Sequence, residues 1–267
     1  VSGAKRSLGQ NFLVDPTAIG RILDAAGIRK GETVVEIGPG RGALTGGLRV
    51  RGERMVLIEK DDNLAAAHRE RFAGDDGVVV LNRDALTVMP SEMPFPGPYR
   101  VVANLPYNVG GRITMHLLEE YGAQVSGATL MFQKEVADRL VATPGSKSYG
   151  ALSVLVQSMA EAWSLFGVPP GSFRPIPKIQ SRVVRLRPRE VPIWDGLPYE
   201  WFRLVVKGGF VARRKTLVNS LSQAPGIPTE TTVLRAALEE AGIDPGIRGD
   251  SVSPHEFRAL AVALKQD

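Results

Sequence analysis

Five short apolar runs recur between residues 33 and 132. They are Thr33-Val34-Val35-Glu36-Ile37, Arg54-Met55-Val56-Leu57-Ile58-Glu59, Val78-Val79-Val80-Leu81, Tyr99-Arg100-Val101-Val102-Ala103 and Ala128-Thr129-Leu130-Met131-Phe132. Each has the length and β-branched content of a buried strand. Helical signals fall between them. Asp15-Pro16 is an N-cap followed by proline at the first helical position, with Gly27 as the stop. Further helices are predicted from about Ala43 and from Asp61 to Phe72. Strands alternating with helices predict an α/β fold, a mostly parallel sheet with helices on both faces.

The pattern changes near the end. Arg182-Val183-Val184-Arg185-Leu186-Arg187 alternates as a late edge strand would, and prolines follow at 188, 192 and 198. Beyond Pro198 every periodic segment reads as helical, the last opening on a capping box, Ser253-Pro254-His255-Glu256. The chain is expected to divide near 188–197, into an α/β domain of residues 1–190 and a small all-helical domain of residues 191–267.

Composition removes whole classes of chemistry. No cysteine is present, which excludes disulfides, thiolate metal sites and cysteine nucleophiles. The three histidines, His68, His116 and His255, are scattered and none lies in an H-E-x-x-H frame, so no metal is expected. The longest apolar runs fall short of the roughly 18 residues of a membrane span. With no apolar leader at Val1–Arg6, a cytoplasmic protein without membrane contact is expected.

Positive charge is concentrated. Of a net +5, the segment Arg174–Lys215 alone holds eleven basic and three acidic residues, a local +8. Such a segment suits a polyanionic partner or a solvated basic face. The run Arg213-Arg214-Lys215 favours nucleic acid.

The strand ends carry the candidate chemistry. In open parallel sheets ligands bind beyond the carboxyl ends of the strands. The first strand runs into Gly38-Pro39-Gly40-Arg41-Gly42, a turn that lets backbone approach a ligand, though G-x-G-x-G differs from the dinucleotide G-x-G-x-x-G. Glu59 ends the second, where a carboxylate can accept ribose hydroxyls. This much fits a nicotinamide cofactor too. Asp84, ending the third, can take an adenine amino group, and the fourth ends in Asn104-Leu105-Pro106-Tyr107. Four such ends in succession suit S-adenosylmethionine better.

The Asn-Leu-Pro-Tyr turn addresses one chemical difficulty. The exocyclic amino group of adenine is a weak nucleophile because its lone pair is delocalised into the ring. The side-chain oxygen of Asn104 and the carbonyl of Leu105 can accept both amino hydrogens, favouring a pyramidal nitrogen. Pro106 stiffens the turn, and Tyr107 offers a ring face, rather than its hydroxyl, to the base.

These stretches together resemble the ribosomal RNA adenine dimethyltransferases, most closely the KsgA type that acts on the small subunit. The resemblance rests on Leu8–Leu13, Glu36–Gly40, Glu59-Lys60-Asp61, Asp84-Ala85, Asn104–Asn108, Gln133–Ala137, Tyr149-Gly150, Phe173–Lys178 with Ser181, and Arg213–Leu217. It implies a Rossmann-like methyltransferase fold and cofactor contacts from Gln10, Asn11, Leu13, Gly38, Gly40, Glu59, Asp84 and Asn104. It places Asn104, Leu105, Pro106, Tyr107 and Phe173 at the target base, with Tyr107 and Phe173 sandwiching it. RNA contacts are expected at Arg174, Lys178, Arg213, Arg214 and Lys215. The implied reaction is dimethylation of two adjacent adenosines near the 3′ end of 16S rRNA by a monomeric enzyme, with a part in ribosome biogenesis. Two stretches depart from the pattern: Gly110-Gly111-Arg112 replaces small hydroxyl residues and a proline, and Arg248–Ser253 only approximates Arg-x-Glu-x-Leu-Ser.

Three other readings compete. A 23S rRNA methyltransferase of the antibiotic-resistance type would share the chemistry, although the Phe173–Ser181 loop and the Arg213–Leu217 segment favour the small subunit. A non-catalytic RNA-binding protein would have no use for an intact Asn104–Tyr107. A nicotinamide oxidoreductase leaves that turn and the basic segment unexplained.

Overall fold

In the computed structural model, which describes residues 11–265, Asp15 caps the first helix as its sequence predicts. Its carboxylate accepts the Thr17 N–H at 2.9 Å, Pro16 follows, and Gly27 ends the helix in the left-handed region at φ 59°. The regular elements in chain order are β1 (Phe12–Leu13), α1 (Pro16–Ala26), β2 (Thr33–Ile37), α2 (Thr45–Arg51), β3 (Arg54–Ile58), α3 (Asp62–Arg71) and β4 (Val78–Leu81). Next come β5 (Tyr99–Asn104), α4 (Gly110–His116), β6 (Val125–Gln133), α5 (Lys134–Leu140), α6 (Ala151–Met159) and β7 (Ala160–Val168). The last are β8 (Phe173–Arg174), β9 (Ser181–Pro188), α7 (Tyr199–Gly209), α8 (Leu217–Leu221), α9 (Thr231–Glu240) and α10 (Pro254–Ala263).

Seven strands form one sheet in the order β4-β3-β2-β5-β6-β9-β7. The five strands read from the sequence are parallel, and Val35 of β2 lies between Val56 of β3 and Val101 of β5. All five residues of β2 are buried, as a central strand covered on both faces requires. The chain steps outward from β2 to β3 and β4, then returns to β5 on the other side of β2. That reversal opens a crevice at the carboxyl ends of β2 and β5.

The sequence expectation for Arg182–Arg187 needs one correction. β9 is not an edge strand: it pairs antiparallel with β6 on one side and borders β7 on the other. It alternates from Val184 onward, with Val184 and Leu186 buried and Arg185 and Arg187 exposed, which antiparallel strands allow, while Val183 is buried on the other face. β7 was not foreseen, because Glu161, Ser164 and Gly167 interrupt its apolar pattern.

The described residues split into two compact units, one of residues 11–137 with 162–188, the other of 138–161 with 189–265. In the first, an apolar cluster joins Ile22 and Ala26 of α1 to Val34, Val102 and Met131 of the sheet. The second is built from helices, with Tyr149, Phe202 and Phe257 fully buried. Residues 138–161, which the sequence division left with the sheet, gather with these helices because α6 is apolar around most of its circumference and packs on α7 and α10. Among the described residues no helix is long and apolar enough to cross a membrane.

Candidate active site

The turn after β2 is glycine-rich for a backbone reason. Gly38, Gly40 and Gly42 have φ of 63°, 58° and 81°, a region where a Cβ is strained. A Cβ on Gly40 would also stand 3.3 Å from the Phe12 ring. Phe12 thus covers the turn, with the Arg41 guanidinium 4.5 Å from its ring centroid.

A buried polar layer fixes the turn from beneath. The two oxygens of Glu59 accept the N–H groups of Gly40 (3.0 Å) and Asp61 (2.9 Å), tying the glycine turn to the start of α3. The His68 ring donates from Nε2 to the Gly40 carbonyl at 2.9 Å. Glu36, 2% exposed, has its pKa pushed up to about 8 by burial, with the charge of Glu59 adding to the rise. Its carboxyl is therefore neutral at pH 7.

Asp84 caps the short turn after β4, one oxygen accepting the Leu86 N–H at 3.0 Å and the other pairing with Lys60 at 2.9 Å. The Lys60 contact, then the Leu86 N–H, hold its carboxyl below the usual range, so it stays ionised. Lys60 itself is mostly exposed.

Asn104 is the last residue of β5. Its Nδ2 donates to the Asn11 carbonyl at 3.1 Å. A carbonyl only accepts, so this contact decides which way the amide faces. The Leu105 N–H continues the ladder to Met131 at 3.1 Å. The Pro106 carbonyl then takes the N–H groups of Val109 and Gly110, so the turn does not use the Leu105 carbonyl. The departure at Gly110 has a packing reason, since a Cβ there would lie 3.0 Å from the Phe132 ring. The Tyr107 hydroxyl, expected to be idle, lies 2.8 Å from the Ser181 hydroxyl. Burial raises the pKa of that phenol, and the Ser181 contact opposes the rise.

One cleft gathers Asn11, Leu13, Gly38, Gly40, Glu59, Asp84, Asn104, Leu105, Pro106 and Tyr107. Gln10 lies outside the described residues. Phe173 is not brought to the cleft, contrary to the expected sandwich. It pairs with Leu13 in the short β1–β8 ribbon and is fully buried in the apolar cluster with Met131 and Val183, leaving no free ring face for a base.

The basic candidates divide between the two units. Arg174 and Lys178 are exposed in the first, where the Arg174 guanidinium donates to the carbonyls of Gly171 and Phe173. Arg213–Lys215 belong to the second. There Arg213 donates to the carbonyls of Lys147 (2.6 Å) and Tyr149 (2.7 Å), so it braces a loop. Arg214 and Lys215 are exposed. Sequence reasoning assigned no role to Phe12, Arg41, Lys60 or Ser181. Phe12, Arg41 and Lys60 adjoin residues already singled out, and Ser181 lies among the residues that carry the resemblance.

A model of the family described as Ribosomal RNA adenine dimethylase matches residues 1–246. The chain belongs to the ribosomal RNA adenine dimethylase family. Within this dimethylase family, a Geobacter sulfurreducens protein named Ribosomal RNA small subunit methyltransferase A is 41% identical over 268 residues, 98% of this chain and 95% of that one. A Xanthomonas campestris protein of the same name is 42% identical, covering 97% of this chain and 95% of its own length. Among solved structures, the 23S rRNA methyltransferase ErmE is 30% identical with a TM-score of 0.72, covering 96% of this chain and all of that one. A dimethyladenosine transferase from Plasmodium falciparum has a TM-score of 0.79 at 24% identity, covering 93% of this chain and 95% of that one, a likeness of fold.

Proposed function

We propose that this dimethylase transfers methyl groups from S-adenosylmethionine to the N6 atoms of two adjacent adenosines near the 3′ end of 16S rRNA. The work would be done in the cytoplasm, on the small ribosomal subunit or its assembly intermediate. The observation that carries the reading is the amide of Asn104, fixed at the cleft with its nitrogen turned to Asn11.

The residues present fit the donor. The Gly38–Gly42 turn offers backbone without side chains for a close approach. Each Glu59 oxygen spends one lone pair on a backbone N–H and retains another for a ribose hydroxyl. Asp84 stays ionised and can take an adenine amino group, its Lys60 partner being exposed and free to swing aside. When bound, S-adenosylmethionine supplies a methyl group on a positively charged sulfur, which leaves with the C–S electron pair.

The chain's own residues act on the nucleophile. Asn104 Oδ1 and the Leu105 carbonyl accept the two amino hydrogens, turning the nitrogen lone pair out of conjugation and towards the methyl carbon. Positive charge develops on nitrogen as the C–N bond forms, and those two acceptors stabilise it. The nitrogen then sheds a proton to water, so no strong base is required. Tyr107 stacks on the ring face. Arg174, Lys178, Arg214 and Lys215 are the proposed phosphate contacts.

The likeness to ErmE favours a second reading, the same chemistry on 23S rRNA. The curated relatives at about 40% identity support the small subunit instead. Methyl-labelled donor incubated with purified small or large subunits lacking these modifications separates the two. Label on paired adenosines near the 3′ end of 16S rRNA supports the first reading, and label confined to 23S rRNA replaces it.

A further inference from the structure

Tyr107 stands in the turn between β5 and α4, outside any regular element. Its backbone follows Pro106, and its far end meets a side chain 74 positions later, where one hydroxyl donates to the other at 2.8 Å. That partner, Ser181, is fully buried at the start of β9, in register with Gln133 at the end of β6. The preceding residue is also fixed, since the Gln180 carbonyl accepts the Lys134 N–H at 2.9 Å. Ser181 is therefore a rigid post, and Tyr107 is held at both ends. Rotation of the ring about its Cα–Cβ bond would break the hydroxyl contact and strand a polar atom in a half-buried site.

We propose that Ser181 is a positioning residue for methyl transfer, fixing through the Tyr107 hydroxyl the position and long axis of the ring on which the target adenine stacks beside Asn104. The inference rests on the proposed adenine methylation. Ser181 touches neither donor nor base, and it acts by restricting Tyr107. Small misalignment of reacting atoms lowers rate steeply, so a single hydroxyl contact outside the reacting shell can control kcat.

The test is a double-mutant cycle on small subunits, with Ser181→Ala, Tyr107→Phe and the double variant. Each single variant should lose roughly tenfold in kcat. The double variant should lose no more than the worse single, because both remove the same hydrogen bond. S-adenosylmethionine affinity by calorimetry should stay at the wild-type value, the melting temperature should fall by only the few degrees that one lost hydrogen bond costs, and Ser181→Thr should restore most of the rate. Unchanged kcat in Ser181→Ala overturns the proposal. So do losses that multiply in the double variant, and so does a rate loss matched by a fall in donor affinity and a larger fall in melting temperature, which marks a structural role. Wild-type enzyme that labels neither adenosine on small subunits counts against the methylation reading itself, a result separate from any comparison among the variants.

Discussion

The amide nitrogen of Asn104 is committed to the backbone carbonyl of Asn11 at 3.1 Å, which leaves its oxygen as the group free to accept. An asparagine without such a partner can flip and present NH2 where an acceptor is required. Here the segment before α1, not the sheet, sets the polarity of the Asn104 amide. Asn104→Ala should therefore cut turnover by roughly a hundredfold or more. Asn104→Asp should be no better, because a carboxylate cannot donate to the Asn11 carbonyl. Single-turnover methylation at saturating donor and small subunits measures both, and near-normal rates would remove Asn104 from the mechanism.

Glu59 holds the glycine turn and, on the proposed reading, also receives the donor. Glu59→Ala should weaken donor binding and also lower stability, since two backbone N–H groups lose their acceptor at about 1–3 kcal/mol each. Calorimetry and thermal melts together test this. Full stability with lost affinity would reduce Glu59 to a ligand contact alone.

Glu36 predicts a pH effect on stability. Its folded pKa of about 8 lies above the ordinary 4.5, so between those values the folded chain keeps a proton that the unfolded chain has lost. Stability on this account falls as pH rises from 4.5 to 8 and then levels off, at a slope of about 1.4 kcal/mol for each pH step of one within that window. Glu36→Gln keeps a neutral group and should flatten that slope, so that the variant gains on wild type at pH 8 but not at pH 4.5. Denaturant titrations of both proteins across this range would show parallel curves if Glu36 were ionised in the fold.

Phe173→Ala should act through the core. A fully buried phenylalanine removed from a packed cluster costs roughly 3–5 kcal/mol, so a large drop in melting temperature is expected. Phe173→Leu should recover most of the stability and of the activity together. A leucine variant that is stable but inactive would restore the stacking role and imply that the ring moves when RNA binds.

The basic run should divide by residue. Arg213→Ala should lower the melting temperature, since Arg213 holds the carbonyls of Lys147 and Tyr149. Arg214→Ala with Lys215→Ala should leave stability intact and flatten the salt dependence of small-subunit binding. The logarithmic slope should fall by about one for each phosphate that is no longer neutralised. Equal salt slopes in this pair and in wild type would place the RNA-binding cations elsewhere.

What the sequence makes legible is whatever depends on local chain order. Asp15-Pro16 and Ser253–Glu256 start helices because their caps satisfy neighbouring N–H groups, and both appear as expected. The ends of β2 through β5 converge because parallel connectivity sends every carboxyl end to one side. Contacts distant in sequence are not legible in this way. Nothing near Phe173 tells that its strand partner is Leu13, which turns an expected base platform into core. Nothing near Tyr107 points to Ser181. The commitment of Arg213 to two backbone carbonyls is likewise invisible in a run of three cations, where all three look alike.

The ribbon formed by Phe12–Leu13 with Phe173–Arg174 has a kinetic consequence. Phe12 lies on the glycine turn, and its neighbour Asn11 orients the Asn104 amide, so adjacent residues hold the proposed donor and base sites. Fraying the ribbon would loosen both holds in one event. Any exchange of donor that opened the ribbon would also release the Asn104 amide from Asn11.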